Sequence, residues 1–337
     1  MEGTMKSILA KGGSSAMDAG AFSILEQPIP RPGDKDVLVR ILAIGMNPVD
    51  TKIRKRSEQD KVLGWDAYGI VEETGMAVTG FKEGDRVFYA GSMTRPGCNS
   101  EYQVVDHRLA AIAPQNLSPA DAVAMPLTAI TAWEGLFDRL GFIPNTHANT
   151  GKSILIIGAA GGVGSIAIQL AHWAGLTVYA TASRPETAQW CTTLGADHVI
   201  DHKASLSQEL EASGIKTVDA IFCTTQIEMH WNAMAECIGP QGSIVFIDDP
   251  ASPLDIRIFK QKSVRLSWEF MFCRSLFETD DMAAQGAALA RVAGLLDAGI
   301  LVTTQQRILQ GLSPDNIRSM HIYQEKGTMI GKQVLVL

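Results

Sequence analysis

The chain has 337 residues, 46% of them hydrophobic and 19% charged, with a formal net charge of −7. That length accommodates two domains and that balance is ordinary for a globular protein, while the negative charge argues against nucleic acid or an anionic membrane as the main partner. Five scattered cysteines (Cys98, Cys191, Cys223, Cys237, Cys273) contain no C-x-x-C pair, no apolar run reaches the ~18 residues of a membrane span, and the N-terminus lacks a signal-like pattern, so a reducing cytoplasm is the expected setting.

Residues 1 to about 126 read as a β-rich unit. Strand-like runs at 37–44, 69–73, 86–90 and 102–105 are separated by turns carrying Pro28, Pro30, Pro32, Gly33, Gly64, Gly80, Gly84 and Gly91. No βαβ alternation is present, and the pattern predicts a compact barrel or sandwich. At Ser118 the period changes. Ser118, Pro119 and Asp121 supply a cap, a proline at the first helical position and a carboxylate near the positive helix end. A helical run at 122–125, then Pro126 and a second run at 129–140, follow.

Residues 153–184 carry the strongest local signal. An apolar β-type run at 154–157 leads into a glycine turn, Gly158 to Gly164, then a helical stretch ending at Gly175, then a second strand at 177–182. This is a βαβ unit with a G-x-G-x-x-G-like turn, whose glycines let the backbone approach a pyrophosphate at a helix N-terminus. The first position of the fingerprint is Ala159, with an extra glycine before it. Past the second strand, where an NAD site places Asp or Glu, stand Ser183 and Arg184. A hydroxyl and a guanidinium suit a 2′-phosphate, which points to NADPH; the other reading is a solvated arginine at a strand end.

Strands at 199–201, 220–223, 242–247 and 264–268 then alternate with helices at 205–212 and 228–238, the pattern of a parallel sheet covered on both faces. A long helix at 279–298, a strand at 301–307, a helix at 313–324 and a final strand at 333–337 are expected to return to the N-terminal unit, because they carry too little apolar surface for a core of their own.

Several strings carry a wider resemblance. Asn47-Pro48-Val49-Asp50 follows the first long strand; Gly64 to Val71 forms a G-x-x-x-x-G-x-V segment; Gly80 to Val87 forms a G-F-x-x-G-D-x-V turn; Pro126 to Trp133 leads into the glycine unit; and Gly331-Lys332-Gln333-Val334 opens the last strand. Together they resemble the medium-chain dehydrogenase/reductase superfamily, in its quinone oxidoreductase branch and more narrowly its zinc-type alcohol dehydrogenase-like group. The fold this implies is α/β: a Rossmann doubly wound parallel sheet over 127–269, plus a β-rich GroES-like domain split between 1–126 and 270–337. It also implies a homodimer acting on a small-molecule substrate.

Zinc alcohol dehydrogenases place a cysteine after the first long strand, a His-Glu pair in the glycine segment and a lobe of four close cysteines. This chain has Asn47 near the first position, Trp65 and Asp66 at the second, and only Cys98 in 90–101. A zinc site needs three or four N, S or O ligands, so the expectation is no metal, with Asp66 a strand-end carboxylate and Cys98 a small buried thiol.

The resemblance also assigns cofactor contacts. Thr128 falls near the nicotinamide ribose or amide, Gly161, Gly162, Val163 and Gly164 at the pyrophosphate, and Ser183 and Arg184 at the 2′-phosphate. His202 stands where relatives often have a tyrosine near the adenosine phosphate, or is a surface histidine; Thr224, Ile247 and Lys332 lie along the same cleft. With NADPH and no metal, the reaction most readily supported is hydride delivery to a quinone or an α,β-unsaturated carbonyl, with donors for the developing oxyanion. Asn47 is the candidate donor, or a turn-forming residue before proline, and Asp50 a loop anchor. Tyr68 lines the same place or belongs to the core. Trp65, Phe270, Met271 and Phe272 offer an aromatic wall, or plain core. A zinc enzyme with unexpected ligands and a catalytically idle NADPH-binding protein are the alternative classes.

Overall fold

At the N-terminus, where the sequence reading has no strand, Met5, Ser7, Ile8 and Ala10 are buried while Thr4 and Lys6 are exposed, and the segment forms a hairpin. Strand β1 (Thr4–Ala10) pairs antiparallel with β2 (Phe22–Pro28), from Thr4 against Pro28 to Ala10 against Phe22. The structure is a computed structural model describing residues 3–337, and it divides into two compact units: residues up to Ile130 with Phe272–Leu337, and Thr131–Met271.

The first unit continues through β3 (Asp36–Gly45), helix α1 (Pro48–Arg56), β4 (Lys61–Val62), β5 (Asp66–Thr74), β6 (Arg86–Tyr89), β7 (Tyr102–Asp106) and β8 (Ala110–Ile112). Helix α1 is also absent from the sequence reading. Asn47 caps it, Pro48 takes its first position, and the Asp50 carboxylate accepts the Asn47 backbone N–H at 2.8 Å. Helices α2 (Pro119–Val123) and α3 (Pro126–Trp133) follow; α3 starts at Pro126 rather than 129 and runs into a π-helical turn, Glu134–Arg139.

The second unit holds β9 (Ser153–Ile157), α4 (Gly162–Trp173), β10 (Thr177–Thr181), α5 (Pro185–Thr193), β11 (His198–Ile200), α6 (Leu206–Ala212), β12 (Val218–Cys223), α7 (Ile227–Cys237), β13 (Ile238–Phe246) and β14 (Arg265–Trp268). All six strands are parallel, in the order β11-β10-β9-β12-β13-β14. This is the doubly wound order that reverses direction between its two central strands, here β9 and β12. One face is closed by a buried cluster of Leu155, Ile221, Ile244, Trp231, Met234 and Phe259.

The chain then completes the first unit with α8 (Cys273–Phe277), α9 (Ala284–Asp297), β15 (Gln305–Gln310), α10 (Pro314–Glu325) and β16 (Lys332–Val336). The expected helix 279–298 starts five residues later. Glu278 adopts a left-handed conformation (φ 46°), and a turn closed by the Arg274–Asp281 ion pair at 2.9 Å precedes α9. The expected strand 301–307 begins only at Gln305; ahead of it the Thr303 and Thr304 hydroxyls bond to the Asp121 and Ala124 carbonyls, and the Thr304 carbonyl accepts the Lys332 N–H at 2.8 Å. β16 pairs antiparallel with β3, giving a sheet of order β15-β16-β3-β5-β6-β8, with β7 also on β3. Met46, Asn47, Asp66 and Lys332 thereby meet at one end of β3, β5 and β16.

Candidate functional site

In the parallel sheet, polar groups gather at the carboxyl ends of the strands. The chain leaves β9 through Gly158, whose φ of 77° favours glycine, and an added Cβ there would meet Thr224 Oγ1 at 2.3 Å. The left-handed turn thus falls on the extra glycine, which frees the next position to be Ala159. Gly161 caps α4. At Gly164 a Cβ would lie 2.5 Å from the Gly158 carbonyl oxygen, so glycine is required for the helix to pack this close to the turn. Two side chains hold the turn: Gly158 N donates to Thr181 Oγ1 (3.1 Å), and Thr224 Oγ1 donates to the Ile157 carbonyl (2.8 Å).

The neighbouring strand ends are in register. Thr181 pairs with Ile200, so Ser183 and His202 each lie two residues beyond paired positions. Arg184 caps α5; its side chain is 40% exposed and its Nε lies 3.4 Å from Glu186. The His202 ring sits edge-on to the buried His230, centroids 6.4 Å apart. Ile247 follows β13, with its N–H donating to Cys223 (3.3 Å). Burial pushes the Cys223 thiol up to about 12, which leaves it protonated and unreactive near neutral pH. Backbone N–H groups of an N-capping glycine and a close-packed third glycine fit the pyrophosphate of a dinucleotide, and the second strand ends without a carboxylate. Phe270, 46% exposed, follows β14 in this unit.

The other expected residues lie in the β-rich unit. Asn47, Asp66 and Lys332 are all buried. The Lys332 ammonium donates to Asp66 Oδ2 (2.7 Å), Asn47 Oδ1 (2.5 Å) and the Met46 carbonyl (2.7 Å). Asn47 Nδ2 donates to Asp66 Oδ2 (2.7 Å), and Asp66 Oδ1 accepts the Leu127 N–H at the start of α3 (2.7 Å). Burial pushes Asp50 up to about 7; the Asn47 N–H and the Lys332 ammonium offset part of this, and Asp66 adds to it. Cys98 donates its thiol to the Asp66 carbonyl at 3.1 Å, and burial holds that thiol well above its ordinary range.

Tyr68 does not join this group. It is buried mid-strand opposite Ala43 and Phe88, its phenol pushed up by burial and partly offset by a bond to Arg86. Thr128 is buried on α3, its hydroxyl donating to the Met125 carbonyl (3.1 Å). Trp65 and Phe272 meet edge to face with centroids 6.0 Å apart, and the Trp65 indole donates to the Ser92 carbonyl (3.3 Å). Sequence reasoning missed Asp66 as the hub. The available signal was chemical: a carboxylate at the start of an apolar strand and a lysine at the start of another each require a partner if buried.

Two family models match the chain: one described as the alcohol dehydrogenase GroES-like domain over residues 33–115, and one described as zinc-binding dehydrogenase over residues 162–284. A zinc-type alcohol dehydrogenase-like protein of Staphylococcus aureus is 44% identical over 320 residues, 94% of this chain and 96% of its own. A solved structure from Rhizobium etli CFN 42, described as that of a zinc-dependent alcohol dehydrogenase, is 43% identical, with a TM-score of 0.94 over 100% of this chain and 99% of its own. The chloroplastic NADPH-dependent alkenal/one oxidoreductase of Arabidopsis thaliana is 35% identical over 206 residues, 57% of this chain and 52% of its own.

A doubly wound sheet with this glycine turn, carried in one chain with a GroES-like β domain, defines an oxidoreductase that works with a nicotinamide cofactor. The chain belongs to the medium-chain dehydrogenase/reductase superfamily, in its zinc-type alcohol dehydrogenase-like group. The zinc in that description does not fit the residues. Among the described residues no group of three or more His, Cys, Asp or Glu is arranged to hold a metal ion. Asn47 and Asp66 instead surround an ammonium, which would repel a second cation, and the nearby Cys98 keeps its proton.

Proposed function

We propose that the chain is an NADPH-dependent, zinc-independent oxidoreductase that transfers a hydride to a quinone or an α,β-unsaturated carbonyl. The observation that carries this reading is the ammonium of Lys332 between Asn47 and Asp66. A site with no room for a Lewis acid suits acceptors already activated by conjugation, in which charge develops on an oxygen that needs only hydrogen-bond donors. The alkenal/one oxidoreductase relative supports the same class of acceptor.

Bound NADPH supplies the hydride. The protein's part is binding and charge stabilisation. The glycine turn and the N-terminus of α4 take the pyrophosphate. Ser183, Arg184 and His202 take the 2′-phosphate, with Thr224 and Ile247 on the adjoining strand ends, and Thr128 serves the nicotinamide end. Trp65 and Phe272 provide aromatic surface for a flat acceptor, and Tyr68 lies two residues past Asp66 on β5. Asn47 donates to the acceptor oxygen as it becomes negative, an interaction stronger in the transition state than in the ground state.

The test is NADPH oxidation by the purified full chain against a panel of quinones, enals and simple aldehydes, with and without a chelator. Turnover confined to conjugated acceptors and indifferent to the chelator is expected, with elemental analysis finding well under one zinc per chain. Stoichiometric zinc that tracks activity would assign the protein to the metal-dependent alcohol dehydrogenases. Tight NADPH binding without turnover on any acceptor would make it a binding protein.

A further inference from the structure

The Asn47 side chain faces two fully buried ions, and its two ends are chemically opposite. A carbonyl oxygen is attracted to an ammonium and an amide NH2 to a carboxylate. Only one orientation of the amide satisfies both Lys332 (2.5 Å to Oδ1) and Asp66 (2.7 Å from Nδ2). The reversed orientation sets NH2 against NH3+ and C=O against a carboxylate, with no water to screen either clash, since Asn47 and the side chains of Asp66 and Lys332 are at most 4% exposed. Lys332 has three N–H donors, and its three bonds account for all of them: Met46 O, Asn47 Oδ1 and Asp66 Oδ2. Asn47 Nδ2 has two N–H donors, and Asp66 takes one.

We propose that Lys332 is a built-in cation that, with Asp66, locks the Asn47 amide and fixes the direction of its second N–H, which an acceptor oxygen would meet only where binding uncovers the buried Asn47. Lys332 is then a positioning residue, acting through Asn47, and the three oxygens around its ammonium form a cation site filled from within the chain. Burying an ion pair is costly, and an apolar replacement of the whole pair is often neutral for stability. What an apolar or neutral replacement cannot supply is the directional field that distinguishes the two ends of the Asn47 amide. The inference rests on the reading of Asn47 as donor to the acceptor, so the test has one arm that does not depend on turnover.

The informative variant is Lys332→Met/Asp66→Asn, which removes both charges and leaves no lone ion buried; its melting temperature and NADPH titration establish that it is folded. The first readout is the side-chain amide of Asn47 in 1H–15N spectra, assigned by its loss in Asn47→Ala. Two well-separated signals, slow to exchange with solvent, are expected in the wild type, and exchange at least tenfold faster in the double variant. The second is turnover with 9,10-phenanthrenequinone and 2-hexenal, where kcat is expected to fall tenfold or more with KM for NADPH changed less than twofold. Unchanged Asn47 amide signals in the folded double variant overturn the locking, whatever the turnover. If Asn47→Ala loses turnover while the folded double variant keeps it, the positioning role is overturned and the donor role of Asn47 stands. Full turnover in Asn47→Ala overturns the donor reading, and with it the purpose assigned to the lock.

Discussion

The glycine turn of the parallel sheet and the Asn47–Asp66–Lys332 group of the β-rich unit both hold polar groups in fixed directions, by opposite means. The turn is local and made of backbone: a left-handed Gly158, a capping Gly161 and a Gly164 whose missing Cβ lets α4 approach. It lies beside polar side chains that are partly exposed, such as Arg184. The buried group is made of side chains from three distant segments, with Lys332 lying 285 residues from Asn47 and 266 from Asp66. A backbone turn tolerates changes around it because no single side chain carries it. A buried ionic group fails as a unit, because removing one charge leaves the other without water or counter-charge.

That contrast predicts its own largest test. Lys332→Met should destabilise the full chain by about 3–5 kcal/mol, the cost of stranding a buried Asp66 carboxylate with only Asn47 Nδ2 and Leu127 N as donors. Guanidinium unfolding of the variant against wild type measures it. A loss under about 1 kcal/mol, inside the range of an exposed pair, would mean that water reaches the group, and the contrast with the turn would collapse.

The same unit should carry a pH signature that the turn lacks. Burial raises Asp50 from 3.8 to about 7, so the folded chain keeps a proton that the unfolded chain releases at lower pH. The stability tied to Asp50 is therefore full below about pH 4 and is lost as pH rises through about 7. Asp50→Asn retains an acceptor for the Asn47 N–H and removes the titration. The stability difference between variant and wild type should stay constant below about pH 4 and shift by roughly 2–4 kcal/mol in the variant's favour by pH 8. Urea unfolding at intervals from pH 4 to pH 8 reads it directly; a slope that survives in Asp50→Asn would assign the titration to another group.

How much of this could be read from the sequence follows the same division. Residues 153–184 announce a dinucleotide turn because strand, glycines, helix and second strand are contiguous, and Ser183 and Arg184 directly follow that second strand, whereas His202 is suggested by the family resemblance alone. The buried group left no contiguous trace. Asp66 reads as a strand-end carboxylate and Lys332 as one more residue along the cofactor cleft, and nothing local says that two residues 266 apart form an ion pair. The element starts misjudged carry no sequence signal either: Glu278 is left-handed ahead of α9, and Thr303 and Thr304 are tied to the distant Asp121 and Ala124 ahead of β15. The N-terminal hairpin went unread for the same reason, since its pairing rather than its own composition makes it a sheet.

At the exposed end of the turn the expected effects are smaller and fall on one ligand rather than on the fold. Arg184→Glu should weaken NADPH by about 1.5–3 kcal/mol, the usual worth of a charge-assisted bond, and leave NADH nearly unchanged. Paired dissociation constants for both nucleotides in both proteins decide this, and the wild-type preference for NADPH should shrink as salt rises. Equal affinities in the wild type would return Arg184 to its solvated pairing with Glu186.

The smallest effect probes the turn itself. Thr181 is 3% exposed, and its hydroxyl accepts the Gly158 N–H at 3.1 Å, tying the second strand to the residue that starts the turn. Thr181→Val preserves the shape and removes that acceptor, leaving a partly buried N–H unpaired at a cost of about 1 kcal/mol. The pyrophosphate proposed for the turn is common to NADPH and NADH. Both dissociation constants should therefore rise together, by roughly fivefold if the whole cost falls on binding, and their ratio should stay at the wild-type value. This separates the turn from the strand end next to it, where Arg184→Glu changes the ratio and little else. A Thr181→Val protein whose NADPH affinity fell while NADH affinity held would mean that Thr181 acts through the neighbouring Ser183–Arg184 segment, and the backbone turn would lose its standing as the shared, nucleotide-independent part of the site.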